Sequence, residues 1–153
     1  MMNFIDFTKA FDSVHRLLLW RILKKYRFPS DFIDIMQNLY DEGQSTVKWS
    51  GTIGIWFKVT TGVRQGCILS LVLFVLAIDW VMRTALTSLD VGLQWTDGSR
   101  LSDLDYADDI VTSRDRMQQL TETVETEGNK IGLQMYVKKC KTLVSDSGKT
   151  VER

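Results

Sequence analysis

Proline is almost missing from this chain: Pro29 is the only one in 153 residues. No Pro-rich, Gly/Ser-rich or otherwise low-complexity tract is visible, which excludes a linker or a repeat array. Cysteine is also scarce. Cys67 and Cys140 stand far apart and in no metal-type spacing, so they read as reduced, buried or half-buried thiols of an intracellular protein. The single histidine, His15, falls on the polar side of the first predicted helix and reads as structural. Net charge is absent too. Lys+Arg and Asp+Glu number 19 each, so no global positive field announces a nucleic-acid partner. No basic and then apolar leader opens the chain. The most apolar run, residues 71–78, stops at Asp79, far short of the roughly 20 residues a membrane span needs. It reads as a core helix, and no membrane partner is expected.

What remains is one globular domain over residues 1–153, long enough for a real core. Its charge is unevenly spread. From Lys9 to Arg27 there are six Lys/Arg against one acid, Asp12, whereas from Asp97 to Glu127 there are nine acids against three Arg. One region could face a polyanion and the other metal cations, although two solvated helix faces would look the same.

Periodicity orders the elements. Phe4-Ile5-Asp6-Phe7 reads as a short buried strand. A helix capped by Ser13 follows, with Leu19, Ile22, Leu23 and Tyr26 on one face, ended by Phe28-Pro29. Ser30 caps a second helix, whose stripe is Phe32, Ile35, Met36, Leu39 and Tyr40. Val47 and Trp49 lie on one strand. Ile53, Ile55, Phe57 and Val59 alternate on the next, with Ser50-Gly51 near the turn. A loop with two glycines, residues 61–67, leads into an apolar helix over about 69–86. Val91, Leu93 and Trp95 form a strand that turns at Asp97-Gly98 into residues 101–106. A polar helix over about 114–130 carries a thin seam of Met117, Leu120 and Val124. A last strand pair includes Lys138, Lys139 and Lys141. The order is that of an α+β fold, an antiparallel sheet with helices packed on one face.

The most unusual stretch is Tyr106-Ala107-Asp108-Asp109, two adjacent carboxylates inside an apolar run. Like charges repel, and burial disfavours ionisation, so such a pair needs a turn or a cation. A hairpin turn at Ala107-Asp108 would present both carboxylates together. Alone, the pair is most simply a solvated turn, since Asp is a common turn residue. The rest of the chain changes that balance.

Asp6-Phe7-Thr8-Lys9-Ala10-Phe11-Asp12-Ser13-Val14 resembles the first palm motif of reverse transcriptases of the non-LTR retrotransposon type. Gly62-Val63-Arg64-Gln65-Gly66-Cys67-Ile68-Leu69-Ser70 resembles the second, Leu104-Asp105-Tyr106-Ala107-Asp108-Asp109 the third, and Gly132-Leu133-Gln134-Met135 with Lys139 and Lys141 the fourth. Four motifs in the family's order are far more specific than any one. The resemblance implies a polymerase palm, with partial fingers and no thumb, and an RNA-directed DNA polymerase activity. Its partners would be an RNA template, a DNA primer and a deoxynucleoside triphosphate (dNTP). Two Mg²⁺ ions, with Mn²⁺ as a possible substitute, would sit about 4 Å apart on hard oxygen ligands. By resemblance those ligands are Asp6, Asp108 and Asp109, with the Phe7 carbonyl. Phe11 matches the residue under the incoming sugar that excludes a 2′-hydroxyl, although a core aromatic is the equal alternative. Gln65 and Gly66 match the loop that contacts nucleotide and template, with Arg64 a weaker candidate for the phosphates. Lys139 matches a lysine that protonates pyrophosphate, with Lys141 close enough to replace it. Asp12 reads as a brace of the first helix.

The sequence departs from the family at Ile68 and Leu71, where proline is usual, and at Tyr136, where asparagine is usual. The chain also begins at the first palm motif and stops after the fourth, so a truncated palm is expected, without the basic fingers or the thumb. The alternative is an inactive, retrotransposon-derived remnant that binds nucleic acid or a partner. A nucleotide cyclase on a similar palm is disfavoured, because its Gly-Gly-Asp/Glu-Glu-Phe signature is absent.

Overall fold

The computed structural model describes residues 2–87, 93–94, 100–101, 103–106, 109–112, 117–146 and 149–152. The chain opens with β1 (Met2–Ile5) and β2 (Phe7–Thr8), and then α1 (Ala10–Ser13), α2 (Arg16–Lys25) and α3 (Ser30–Asp41) follow. Four two-residue strands come next: β3 (Gln44–Ser45), β4 (Lys48–Trp49), β5 (Thr52–Ile53) and β6 (Phe57–Lys58). After α4 (Ile68–Thr87) come β7 (Leu93–Gln94), β8 (Arg100–Leu101), β9 (Asp103–Tyr106) and β10 (Asp109–Thr112). The chain closes with α5 (Met117–Lys130), β11 (Gln134–Met135), β12 (Lys141–Asp146) and β13 (Lys149–Glu152). It is a mixed fold of helices and small antiparallel sheets.

Five strands form the main sheet in the order β13-β12-β1-β10-β9, every pair antiparallel. In β1, Asn3 and Ile5 are buried and Phe4 is half-buried, the alternation a pleated strand imposes. Asn3 is a buried polar group with both ends satisfied. Its amide donates to Thr121 Oγ1 on α5 at 2.9 Å, and its carbonyl oxygen accepts from Thr142 Oγ1 on β12 at 3.1 Å. That bridge ties α5 to the sheet.

The core is built on α4. Ser70, Leu73, Phe74, Ala77, Ile78, Val81, Met82 and Ala85 are buried, a 3.6-residue period that gives one face to α2 and α5. By length and composition α4 could cross a membrane. Its buried face, packed on two helices, makes it a core helix, as expected. Buried Leu120 and Val124 form the seam of α5.

Several expectations are corrected. Ser13 does not cap the long helix. It ends the separate turn α1, where its hydroxyl donates to the Ala10 carbonyl at 3.1 Å, and His15 holds the N-cap position of α2. The helix α2 ends before Phe28-Pro29. Phe28 N–H bonds to Leu23 O and Arg27 N–H to Lys24 O, with Arg27 left-handed at φ 60°, a Schellman closure. Ser30 is the first residue of α3, and Pro29 holds its N-cap position. The buried face of α3 is Ile33, Met36 and Tyr40, whereas Ile35 is 61% exposed and Leu39 42%. Tyr40 sets this rotation: its ring meets Trp20 edge-on at 5.7 Å, and its hydroxyl pairs with buried Ser70 Oγ at 2.8 Å.

The alternating run from Ile53 to Val59 is not one half-buried strand. It breaks into β5 and β6, and Ile55 is 91% exposed. Gly54 interrupts it, its N–H on Val47 O and its carbonyl on Thr46 Oγ1. The expected turn at Ser50-Gly51 is present, both residues at positive φ between β4 and β5. Lys138 and Lys139 lie in a turn before β12, and only Lys141 of the three is in a strand. Cys67 is exposed, not buried, while Cys140 is half-buried as expected. Val91, Trp95, Asp97-Gly98 and Arg114 lie outside the described residues, although β7 and β8 pair antiparallel, Leu93 with Leu101, as a hairpin requires.

Candidate active site

Asp6 sits at a break between two sheets. Ile5 ends β1 in the main sheet, and Phe7 begins β2, which pairs with β11. The Asp6 carbonyl therefore leaves the main ladder and accepts the Tyr136 N–H at 2.7 Å. The register β1–β10 pairs Ile5 with Ile110, so Asp6 and Asp109 are the next residues at the same end of two adjacent central strands. Residues about a hundred positions apart thus meet through backbone pairing. In turn β9 and β10 pair Tyr106 with Asp109 across two intervening residues. Asp108 itself is one of those two and lies outside the described residues.

The Asp6 side chain is 21% exposed, and its Oδ2 lies 3.5 Å from Lys139 Nζ. Lys139 is placed by its own turn, where its N–H bonds to Tyr136 O at 2.8 Å and its ammonium lies 5.4 Å from the Tyr136 ring centroid. Lys141 is exposed at the start of β12, opposite Phe4. Of the two lysines that the sequence left open, Lys139 is the one ion-paired to Asp6. Phe7 contributes its side chain to the core and its backbone to β2, opposite Met135. Among residues with described side chains, no group of three His, Cys, Asp or Glu gathers as a metal cluster.

The α1 turn carries one further candidate, Phe11, beside Asp12. Phe11 stacks on buried Phe74 at 4.4 Å with 21° between ring planes, and stays half-buried. Asp12 Oδ1 accepts from Gln65 Nε2 at 3.0 Å, so the first two motifs meet directly. Backbone bonds support that meeting: Gly62 N–H to Val14 O at 2.9 Å and Val63 N–H to Phe11 O at 2.7 Å. Gly66 has φ 82°, and nothing lies within 4 Å of where a Cβ would stand, so its backbone faces open space. Arg64 leans on the end of α3, donating to Leu39 O at 2.7 Å with its guanidinium 5.5 Å from the Tyr40 ring centroid. His15 stands at the N-cap position of α2 rather than on a face of that helix, is exposed, and bonds through its backbone N–H to Ile131 O at 2.8 Å. An open cleft of about 1030 Å³ is lined by Asp12, Arg16, Glu42, Trp56, Arg64 and Gln65 among others.

One residue at this site has no signal in the sequence. Arg16 reaches from α2 to the carbonyls of Gly62, Tyr40, Val59 and Thr61. Burial pulls its pKa down, and the Tyr40 hydroxyl opposes the shift. Backbone acceptors leave no residue-type trace, so no spacing rule could have found it.

The family model described as "Reverse transcriptase (RNA-dependent DNA polymerase)" matches residues 1–151. The chain is 31% identical over 144 residues to the Retrovirus-related Pol polyprotein from type-2 retrotransposable element R2DM of Drosophila melanogaster, covering 91% of this chain and 13% of that protein. It is 30% identical over 144 residues to the Pol polyprotein from type-1 retrotransposable element R2 of Nasonia vitripennis, covering 91% and 14%. A 90-residue stretch, 56% of this chain, is 38% identical to the Transposon TX1 uncharacterized 149 kDa protein of Xenopus laevis, of which it covers 7%. The chain spans about one seventh or less of these relatives' lengths.

Proposed function

Because the chain belongs to the reverse transcriptase (RNA-dependent DNA polymerase) family, we propose that its 153 residues are a polymerase palm that transfers nucleotides to a primer 3′-hydroxyl on an RNA template. The observation that carries this reading is the pairing of β1 with β10, which brings Asp6 and Asp109 to one end of the central strands. A shared site built from distant carboxylates is what two-metal phosphoryl transfer requires.

The donor set fits divalent metal. Asp6 offers a hard carboxylate oxygen where a cation, the Lys139 ammonium, already lies. Asp6, Asp108 and Asp109, with the Phe7 carbonyl, are the residues proposed to hold it. When bound, Mg²⁺ or Mn²⁺ would activate the primer hydroxyl and neutralise charge on the departing pyrophosphate. The protein's own part is positioning. Phe11, backed by Phe74, would lie beneath the incoming sugar as a flat steric stop to a 2′-hydroxyl. Gln65 and Gly66 would place the nucleotide against the template, and Arg64 would border the cleft near its phosphates. Lys139 would deliver a proton to the pyrophosphate from beside Asp6.

The test is a graft of these residues into the matching segment of the Drosophila melanogaster relative, followed by RNA-templated primer extension. The expected result is extension that disappears in Asp6→Asn and in Asp108→Asn. The 153 residues alone should extend poorly, because with no net charge they neutralise few phosphates. Extension that survives both aspartate changes would overturn the metal assignment. A well-folded graft that never extends would make the chain a non-catalytic remnant.

A further inference from the structure

Residues 59–67 carry Gln65 and Gly66 yet belong to no helix or strand. Beyond a bond from Val59 N–H to Gly43 O at 3.4 Å, their backbone groups bond on two sides. The N–H groups of Gly62 and Val63 go to Val14 O and Phe11 O around α1. The carbonyls of Val59, Thr61 and Gly62 all go to one side chain. Arg16 Nη1 lies 2.5 Å from Val59 O, Nη2 lies 3.1 Å from Thr61 O, and Nε lies 2.9 Å from Gly62 O. The same guanidinium donates to Tyr40 O at 3.2 Å and lies 5.0 Å from the Tyr40 ring centroid. Tyr40 is itself fixed, 1% exposed and hydrogen-bonded to Ser70 in the first turn of α4.

We propose that Arg16 is a positioning residue for the nucleotide site: it buckles the 59–62 segment to the end of α3 and so sets where Gln65 stands. This rests on the polymerase reading for the identity of the ligand, but the buckle itself does not. The chemistry suits arginine alone. Four carbonyls met by one side chain suit a rigid fork of donors, and the face of Tyr40 suits a flat, weakly hydrated cation. A lysine would bring the charge, but it could meet only part of this acceptor set from one point and would not stack in the same way. The acceptors are neutral dipoles, and the C-terminal end of α3 adds its partial negative charge. Remove the fork, and the 59–62 segment keeps the backbone bonds of Gly62 and Val63 to Val14 O and Phe11 O and of Val59 N–H to Gly43 O, while beyond it Gln65 still meets Asp12 and Arg64 still reaches Leu39 O.

Amide hydrogen exchange on the 153-residue chain and its Arg16→Lys and Arg16→Met variants tests the buckle. Hydrogen bonds to a charged donor contribute enough that protection of Gly62 and Val63 should fall about tenfold or more in both variants. Protection along α4 and α5 should stay as in wild type. Binding of dATP with Mg²⁺ should weaken in Arg16→Lys as it does in Gln65→Ala, although Gln65→Ala leaves Gly62 protected. Unchanged protection in Arg16→Met overturns the proposal. So does protection lost equally in all helices, which would make Arg16 a residue of the general fold. A loosened segment with wild-type dATP affinity overturns the positioning role. Binding of dATP by the wild-type chain tests the polymerase reading separately from the exchange result.

Discussion

Lys139 and Asp6, from opposite ends of the chain, face each other at 3.5 Å because the Tyr136 N–H is bonded to the Asp6 carbonyl. The lysine side chain is 64% exposed, so the pair adds only about 0–1 kcal/mol to stability. Its consequence is electrostatic. If Asp6 is a metal ligand, as proposed, the Lys139 ammonium and the metal would compete for the same carboxylate oxygen. The Lys139→Met variant should therefore gain more in melting temperature from millimolar Mg²⁺ than wild type does. Asp108→Asn should lose most of that gain. Equal Mg²⁺ shifts in wild type and Lys139→Met would sink the competition.

Of the four described glycines at positive φ, Gly62 and Gly132 close tightly on α1, whereas Gly51 and Gly66 face open space. At Gly62, φ 75°, a Cβ would stand 2.6 Å from Asp12 Cα; at Gly132, φ 90°, it would stand 2.3 Å from Ser13 O. Backbone cannot move aside cheaply. Gly62→Ala and Gly132→Ala should each lower stability in urea by more than about 2 kcal/mol, from left-handed strain plus collision. Gly51→Ala has the same strain with open space around it and should lose only about 1 kcal/mol. Similar losses at all three sites would show that strain alone decides.

Tyr26 predicts an alkaline limb in stability. Burial pushes its pKa up to about 12, helped by its hydrogen bond to Asp79 and by that carboxylate's charge. The folded state thus favours the neutral phenol. The stabilisation is complete below the unfolded value near 10 and is lost as pH rises towards 12. Urea unfolding between pH 9 and 12 should show this slope in wild type and a flatter one in Tyr26→Phe. Matching slopes would remove Tyr26 from the alkaline transition.

The two departures from the family at the start of α4 are not equivalent. Ile68 is the first helical residue, 87% exposed, where proline gives up no intrahelical bond. Leu71 lies one turn in, where its N–H is due to join the ladder. Ile68→Pro should be neutral or raise stability by up to about 1 kcal/mol, whereas Leu71→Pro should be the less favourable of the two. Thermal melts of both variants check the order, and a reversed order would mean that α4 starts later than Ile68.

What could be read in advance follows from which interactions leave a pattern in residue types. The seam of α5, Leu120 and Val124, stood out among polar neighbours and was visible, whereas α4 is apolar nearly all round, so the sequence showed a core helix but not which of its faces is buried. The α3 face was misjudged because Ile33 and Ile35 are equally apolar, and the choice between them is made by Tyr40 against Trp20 and Ser70. The candidate residues Asp6, Gln65 and Lys139 stood in recognisable short runs. Their meeting did not, because it depends on strand register and on carbonyls such as Asp6 O and Gly62 O, which every residue possesses.

The two glycine contacts on α1 have a bearing on how such a sequence can drift. The segments bearing Gln65 and Lys139 are fastened to the Asp6 side by main chain lying directly on main chain, at Gly62 over Asp12 and Gly132 over Ser13. Fastenings of that kind carry no side-chain vocabulary. Neighbouring letters such as Ile68, Leu71 or Tyr136 can be rewritten while the spacing of the site survives. An insertion of one residue into α1, which carries both Asp12 and Ser13, would instead disturb both contacts at once. The lineage of this chain would thus tolerate many spelling changes around its site and very few changes of length.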